Sequence, residues 1–229
     1  TFSRTLPKAQ IGAPRTKGTL RRLTLRANYT LERTRSGQSG VSLTVEQIEE
    51  ALIARDFGID LSRNRYIAAR LGASVSRQLD GGASVALSGQ LSQGLGDLAA
   101  ISPADAAASL TPYSRQGSSN GFTRLAVQAA ARLPLGRVAD VSFQAKAQTT
   151  FGKPVFRAEQ FSLEGAEAVS AYIGGITAVD EGLAGRIELG LTPPADASGS
   201  IAPYAFIAGG KGWIKAPTIL EPSSLSAGA

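Results

Sequence analysis

Arg26, Arg70, Arg124, Arg132, Lys146 and Arg186 all stand at even-numbered positions in stretches where polar and apolar residues alternate, and Glu32 and Glu188 share that register. The chemistry these residues offer is ionic. A guanidinium chelates carboxylate or phosphate, and an ammonium attracts anions as a point charge. Two readings follow: a passage with a net positive lining, or ordinary interior residues that snorkel and pair with carboxylates. Catalysis has little to draw on, because the 229 residues contain no histidine, cysteine or methionine. Without imidazole or thiol, only carboxylates, Ser, Lys and Tyr remain, and no arrangement of them supports an enzyme. No cofactor or metal is expected. Glu49, Glu50, Asp56 and Asp60 read as a solvated loop face, and neither Gly174-Gly175 nor Gly209-Gly210-Lys211-Gly212 has the spacing of a phosphate loop.

The elements that position these charges are six alternating runs, each with its main apolar residues at odd numbers. They comprise Leu23 to Leu31, Ile67 to Val75, Val85 to Leu91, Leu125 to Leu133, Val141 to Ala147 and Leu183 to Leu191. Successive side chains of a strand point to opposite faces, so every run has one apolar face and one hydrophilic face. Soluble strands average about 5–6 residues, whereas crossing a bilayer at barrel tilt takes about 9–11. The runs are of the longer kind, and their polar faces carry Ser, Thr, Gln and Arg, which suit a wet interior. The fold class is therefore all-β, an antiparallel transmembrane β-barrel of the outer-membrane type, with residues 1–229 forming its barrel portion.

The net charge of +6 invites a nucleic-acid reading. Its distribution argues against one, since the cations are spread over the hydrophilic faces of several strands. Asp80-Gly81-Gly82 and Pro134 to Arg137 read as tight turns, while 96–121 and 152–180 are long connections on the opposite side. The segment Val41 to Gly58 fits either a strand or a helix opened by Thr44 and Gln47, and a strand running into a loop is expected. Tyr29, Phe122, Phe143, Phe151 and Trp213 fit either interfacial girdles or scattered core positions. Beyond Trp213 no further strand is expected. The resulting total of about nine strands, odd for a bacterial barrel, implies that strands are missing at one or both ends.

The stretch Glu159-Gln160-Phe161-Ser162-Leu163-Glu164-Gly165, then Val169-Ser170-Ala171-Tyr172 and Asp180-Glu181-Gly182, resembles the barrel of two-partner secretion transporters of the hemolysin-activator type. That family carries a pattern like E-Q-F-x-L-G-G before V-R-G-Y/F, and an F-x-D-x-G motif that matches Phe206, Ala208 and Gly210. The resemblance implies that 152–180 folds into the lumen, bearing Val169, Ser170, Ala171 and Tyr172, against a wall motif at Phe206, Ala208 and Gly210. In the family the Arg and Asp of these motifs pair; here Ser170 and Ala208 stand in their places. Loss of both partners together is coherent, because removing only one would strand the other at about 3–5 kcal/mol.

The resemblance further implies a site in the bacterial outer membrane, with lipid around the barrel and a secreted exoprotein passing unfolded through it. POTRA domains, absent from this chain, are expected upstream. The alternative is a non-transporting barrel of the same ancestry that anchors an envelope assembly. A soluble all-β binding protein is the third reading.

Overall fold

The computed structural model describes residues 2–5, 15–163, 178–191, 202–216 and 224–228. Their architecture is a single ten-stranded antiparallel sheet of neighbours in chain order, with a two-stranded ladder set apart. The main strands are β1 (Phe2–Thr5), β2 (Thr16–Arg33), β3 (Gly37–Ala54), β4 (Ile59–Gln78), β5 (Ser84–Gly94), β6 (Thr123–Leu135) and β7 (Ala139–Thr149). After the small ladder of β8 (Phe161–Ser162) and β9 (Ala178–Val179) come β10 (Glu181–Leu191), β11 (Tyr204–Trp213) and β12 (Ser224–Gly228). Among the described residues β1 and β12 do not pair, so the sheet is open.

The strand expected from Val41 runs on to Ala54 within β3 and then into a short turn at 55–58, which excludes the helical alternative. Two expectations are corrected. A strand does follow Trp213: β12 pairs with β11 from Ala208↔Gly228 to Gly212↔Ser224, which raises the main sheet to ten strands. Glu32 leaves the hydrophilic face, because a bulge between Thr30 and Glu32 sets it opposite Ser39, in the outward phase of β3. There Arg77 reaches it across Gly37 at 2.5 Å, a path that any Cβ at Gly37 would obstruct.

The odd face carries the apolar belt. Leu25, Leu43, Leu71, Leu87, Val127, Phe143, Ile187 and Ile207 all stand exposed on it, Leu25 at 77%. Contiguous apolar surface on this scale needs a non-aqueous neighbour. In β2, β3 and β4, which run to 18, 18 and 20 residues, the belt stops partway. Beyond the row of Leu23, Gln47 and Ile67 the outward residues become Arg21, Glu49, Arg63 and Arg65, while Ile48, Tyr66 and Ala68 are buried on the inner face beside the polar Glu46 and Asn64. Strands longer than the roughly 9–11 residues that span a bilayer thus continue as a water-exposed rim.

The connection 95–122 leans on this rim. Where β5 has ended, its backbone continues the ladder along β4, with Leu95 N donating to Ile67 O at 2.9 Å and Ile101 N to Arg65 O at 2.9 Å. It contains one short helix, α1 (Pro103–Ala108), started by a capping box between Ser102 and Asp105. Of the aromatic residues that fit either girdles or core positions, Phe122 is buried in the core beneath this connection, while Tyr29, Phe143 and Phe151 are exposed.

Candidate functional site

Segment 150–163 leaves β7 and folds onto the inner, even-numbered face of the sheet. Its first turn is held by Glu181, whose carboxylate accepts from Thr149 Oγ1 at 2.9 Å, Thr150 N at 3.1 Å and Gly152 N at 2.9 Å. Val155 and Phe156 then enter the apolar cluster of Ile48, Tyr66, Ala68 and Phe122. The Phe156 ring stacks on Tyr66 at 4.6 Å and meets Tyr113 edge-on at 5.4 Å. These contacts fill the loop end of the interior.

Beneath the aromatic layer lies an ionic one. Register places Arg26, Thr44, Arg70, Ser92 and Arg124 directly opposite one another on β2 to β6, so three cations share one row on alternating strands. Arg70 and Arg124 are then two strand spacings apart, about 10 Å. A tight turn at Arg157–Glu159 drops the fully buried Glu159 between them. Arg70 donates from Nη2 to Glu159 Oε1 at 2.6 Å and from Nη1 to Oε2 at 2.9 Å, while Arg124 Nη1 lies 3.1 Å from Oε2. Tyr66 adds its hydroxyl to Oε1 at 3.0 Å. Arg70 Nε reaches Glu46 at 2.7 Å, and Ser92 Oγ accepts from both arginines, at 3.0 and 3.3 Å. Two guanidiniums therefore meet two carboxylates; every nitrogen of Arg70 donates, and of Arg124 both Nη atoms do while Nε is buried without a partner, so the cluster is close to the full pairing under which buried ions hold.

A third contact set lies on β10 and β11. Any Cβ at Gly182 would fall 2.7 Å from the Phe161 ring; at Gly210 it would crowd Leu163 at 3.2 Å, and at Gly212 Val179 at 2.7 Å. The three glycines leave a shallow groove that seats Phe161, Leu163 and Val179. Asp180, also fully buried, ties the loops together: it accepts from Val155 N at 3.0 Å and Lys215 N at 2.7 Å and pairs with Arg115 of the connection 95–122. Gln148 bridges the carbonyls of Glu159 and Asp180, at 3.0 Å each.

The other charges singled out from the sequence are dispersed. Arg26 bonds Thr44 at 3.2 Å at the far end of the shared row. Arg132 pairs with Asp140 at 2.8 Å near the tight turns, and Lys146 lies over the Phe161 ring at 5.2 Å. Arg186 pairs with Glu188 at 2.5 Å and lies 3.7 Å above the Phe206 ring. Of the wall motif, Ala208 is buried beside Arg186 in register and Gly210 seats Leu163. Val169, Ser170, Ala171 and Tyr172 lie outside the described residues. Sequence reasoning did not assign roles to Glu46, Tyr66, Ser92, Gln148, Glu159 and Asp180. The available signal was two arginines on one inner row, which require an anion between them.

The interior below the docked segment is a cavity of about 680 Å³ lined largely by uncharged polar residues, among them Asn28, Ser42, Ser74, Ser88, Gln90 and Gln128. Among the described residues no cluster suits a metal.

Comparison with known proteins matches residues 3–229 to the family described as haemolysin secretion/activation protein ShlB/FhaC/HecB. Among solved structures, CdiB from Escherichia coli aligns with a TM-score of 0.70 at 17% identity, over 99% of this chain and 40% of that one. CdiB from Acinetobacter baumannii aligns with a TM-score of 0.64 at 15% identity, over 96% of this chain and 37% of that one. Likeness at such identity establishes the fold, and this chain spans about two fifths of the length of either structure. No curated protein matches the sequence.

Proposed function

The chain belongs to the haemolysin secretion/activation family of outer-membrane proteins, and from that premise we propose that it forms the barrel wall through which an unfolded exoprotein crosses the outer membrane. Outer-membrane barrels have short periplasmic turns and longer extracellular loops, so the turns at 34–36, 80–82 and 136–138 face the periplasm. Segment 150–163 then descends from the cell surface and closes the passage. The observation that carries the reading is the seating of Glu159: a single buried carboxylate holds the obstructing segment to two arginines of the wall. Family transporters use the Arg and Asp of their two motifs; with Ser170 and Ala208 in those places, Glu159, Arg70 and Arg124 take over the fastening. Below it the Ser, Gln and Asn side chains that make up much of the lining offer transient hydrogen bonds to an extended chain, with Arg124 and Lys146 adding positive charge.

Site-specific photo-crosslinking tests the proposal. In cells secreting a large exoprotein, a crosslinker at Ser74, Ser88 or Gln128 of the full-length protein should capture that exoprotein in transit, and one at Leu87 should not. Absence of capture at every inner position would support the alternative of a non-transporting anchoring barrel.

A further inference from the structure

Above the apolar belt, the outward face of β2, β3 and β4 carries a compact basic patch that neither the fold nor the docking of segment 150–163 requires. Arg21 of β2 and Arg65 of β4 stand directly opposite Glu49 of β3, one on each side, and Arg63 lies two residues further along β4 opposite Ala51. The flanking arginines are thus about 10 Å apart, with the third about 7 Å along the strand. With Lys17 and Asp60, the outward charges of this rim number four cations and two carboxylates.

The existing pairs hold these cations loosely. Arg21 reaches Glu49 only at 3.9 Å with its side chain 70% exposed, and Arg63 meets Asp60 at 3.1 Å while 45% exposed. Exposed pairs of this kind contribute about 0–1 kcal/mol, and each guanidinium keeps donors for another acceptor. The row immediately below contains Leu23 and Ile67 on either side of Gln47, and the next one is wholly apolar, with Leu25, Val45 and Ala69. The change from hydrocarbon-facing to cationic surface is thus complete across one mixed row, within about 14 Å. An amphiphile whose tails cover Leu23, Leu25 and Val45 must present its headgroup at the level of Arg21 and Arg65. Anionic headgroups bind basic clusters beside a membrane span, and guanidiniums suit phosphate oxygens.

We propose that Arg21, Arg63 and Arg65 bind the phosphate of a phosphorylated glycolipid of the outer leaflet, fixing the depth of the barrel at this rim. The inference uses the belt and its orientation and does not depend on transport.

Native mass spectrometry of the full-length protein tests it, with lipid A carrying its phosphates and dephosphorylated lipid A as probes in mixed micelles. The wild-type protein should retain the phosphorylated form at least tenfold more than the dephosphorylated one. The R21Q/R65Q variant should lose that preference, and R63Q should weaken it; folding of each variant is read from heat-modifiable mobility on gels. Equal retention of the two lipids by the wild-type protein would overturn the proposal without any variant. So would an unchanged preference in folded R21Q/R65Q, or in folded R63Q should the double variant not fold.

Discussion

Arg70 and Glu159 meet fork to fork, with parallel bonds of 2.6 and 2.9 Å between a guanidinium fixed on the barrel wall and a carboxylate carried by the segment that fills the interior. The relation joins residues 89 positions apart and is buried on both sides. Its consequence is asymmetric. Intact, the pair is roughly balanced against its desolvation; broken on one side, it leaves a buried charge with an incomplete partner set.

Replacing Glu159 by Gln leaves Arg70 and Arg124 without their shared carboxylate. The expected cost is about 3–5 kcal/mol, read from unfolding titrations in lipid. In a cycle pairing Glu159→Gln with Arg124→Gln, coupling of about 1–3 kcal/mol is expected for contacting residues. Additivity within about 0.5 kcal/mol would remove Arg124 from the latch.

The two faces of β6 should respond differently to charge. Val127→Arg places a guanidinium in the exposed apolar belt and should cost about 2–4 kcal/mol near the bilayer midplane. Gln128→Arg enters the wet interior beside Lys146 and Ser88 and should cost far less. Equal stabilities in lipid would contradict the assigned faces.

Much of this arrangement is legible in the sequence. The period-two alternation predicts all six runs as strands, and the odd and even faces separate as expected, because burial against lipid or water fixes strand register at every step. The rim of β3 was less legible: around Gln47 to Glu50 the apolar phase switches from odd to even as the strand leaves the belt, and that switch mimics a helical pattern. Glu32 was misplaced because a bulge shifts the phase by one residue without a sequence signal. The latch was the hardest to read. Arg70 and Arg124 are visible as cations, but their shared row depends on the register of β4, β5 and β6, and Glu159 reaches it from a connection whose path alternation does not specify.

The glycine groove should be sensitive to a single methyl group. Gly182→Ala puts a Cβ 2.7 Å from Phe161, and overpacking of this kind costs about 1–3 kcal/mol. Segment 150–163 should then release more often, and trypsin cleavage after Arg157 should rise about tenfold for each 1.4 kcal/mol of that cost. An unchanged cleavage rate would mean that Phe161 is not seated against Gly182.

Asp180 should matter through backbone amides as much as through charge. Asp180→Ala leaves the amides of Val155 and Lys215 without an acceptor and Arg115 without its carboxylate. Each stranded group costs about 1–3 kcal/mol. The effect should appear as faster hydrogen exchange at both amides; exchange like that of the wild-type protein would show that they find other acceptors.

The central claim is that Glu159 fastens the segment closing the passage. It is tested most directly by planar-bilayer recordings of the full-length protein beside its Glu159→Gln variant. Wild-type traces should be mainly closed with brief openings, and the variant should open more often and for longer, with at least a tenfold rise in open probability. Indistinguishable open probabilities for the two proteins, both folded by heat-modifiable mobility, would contradict the account.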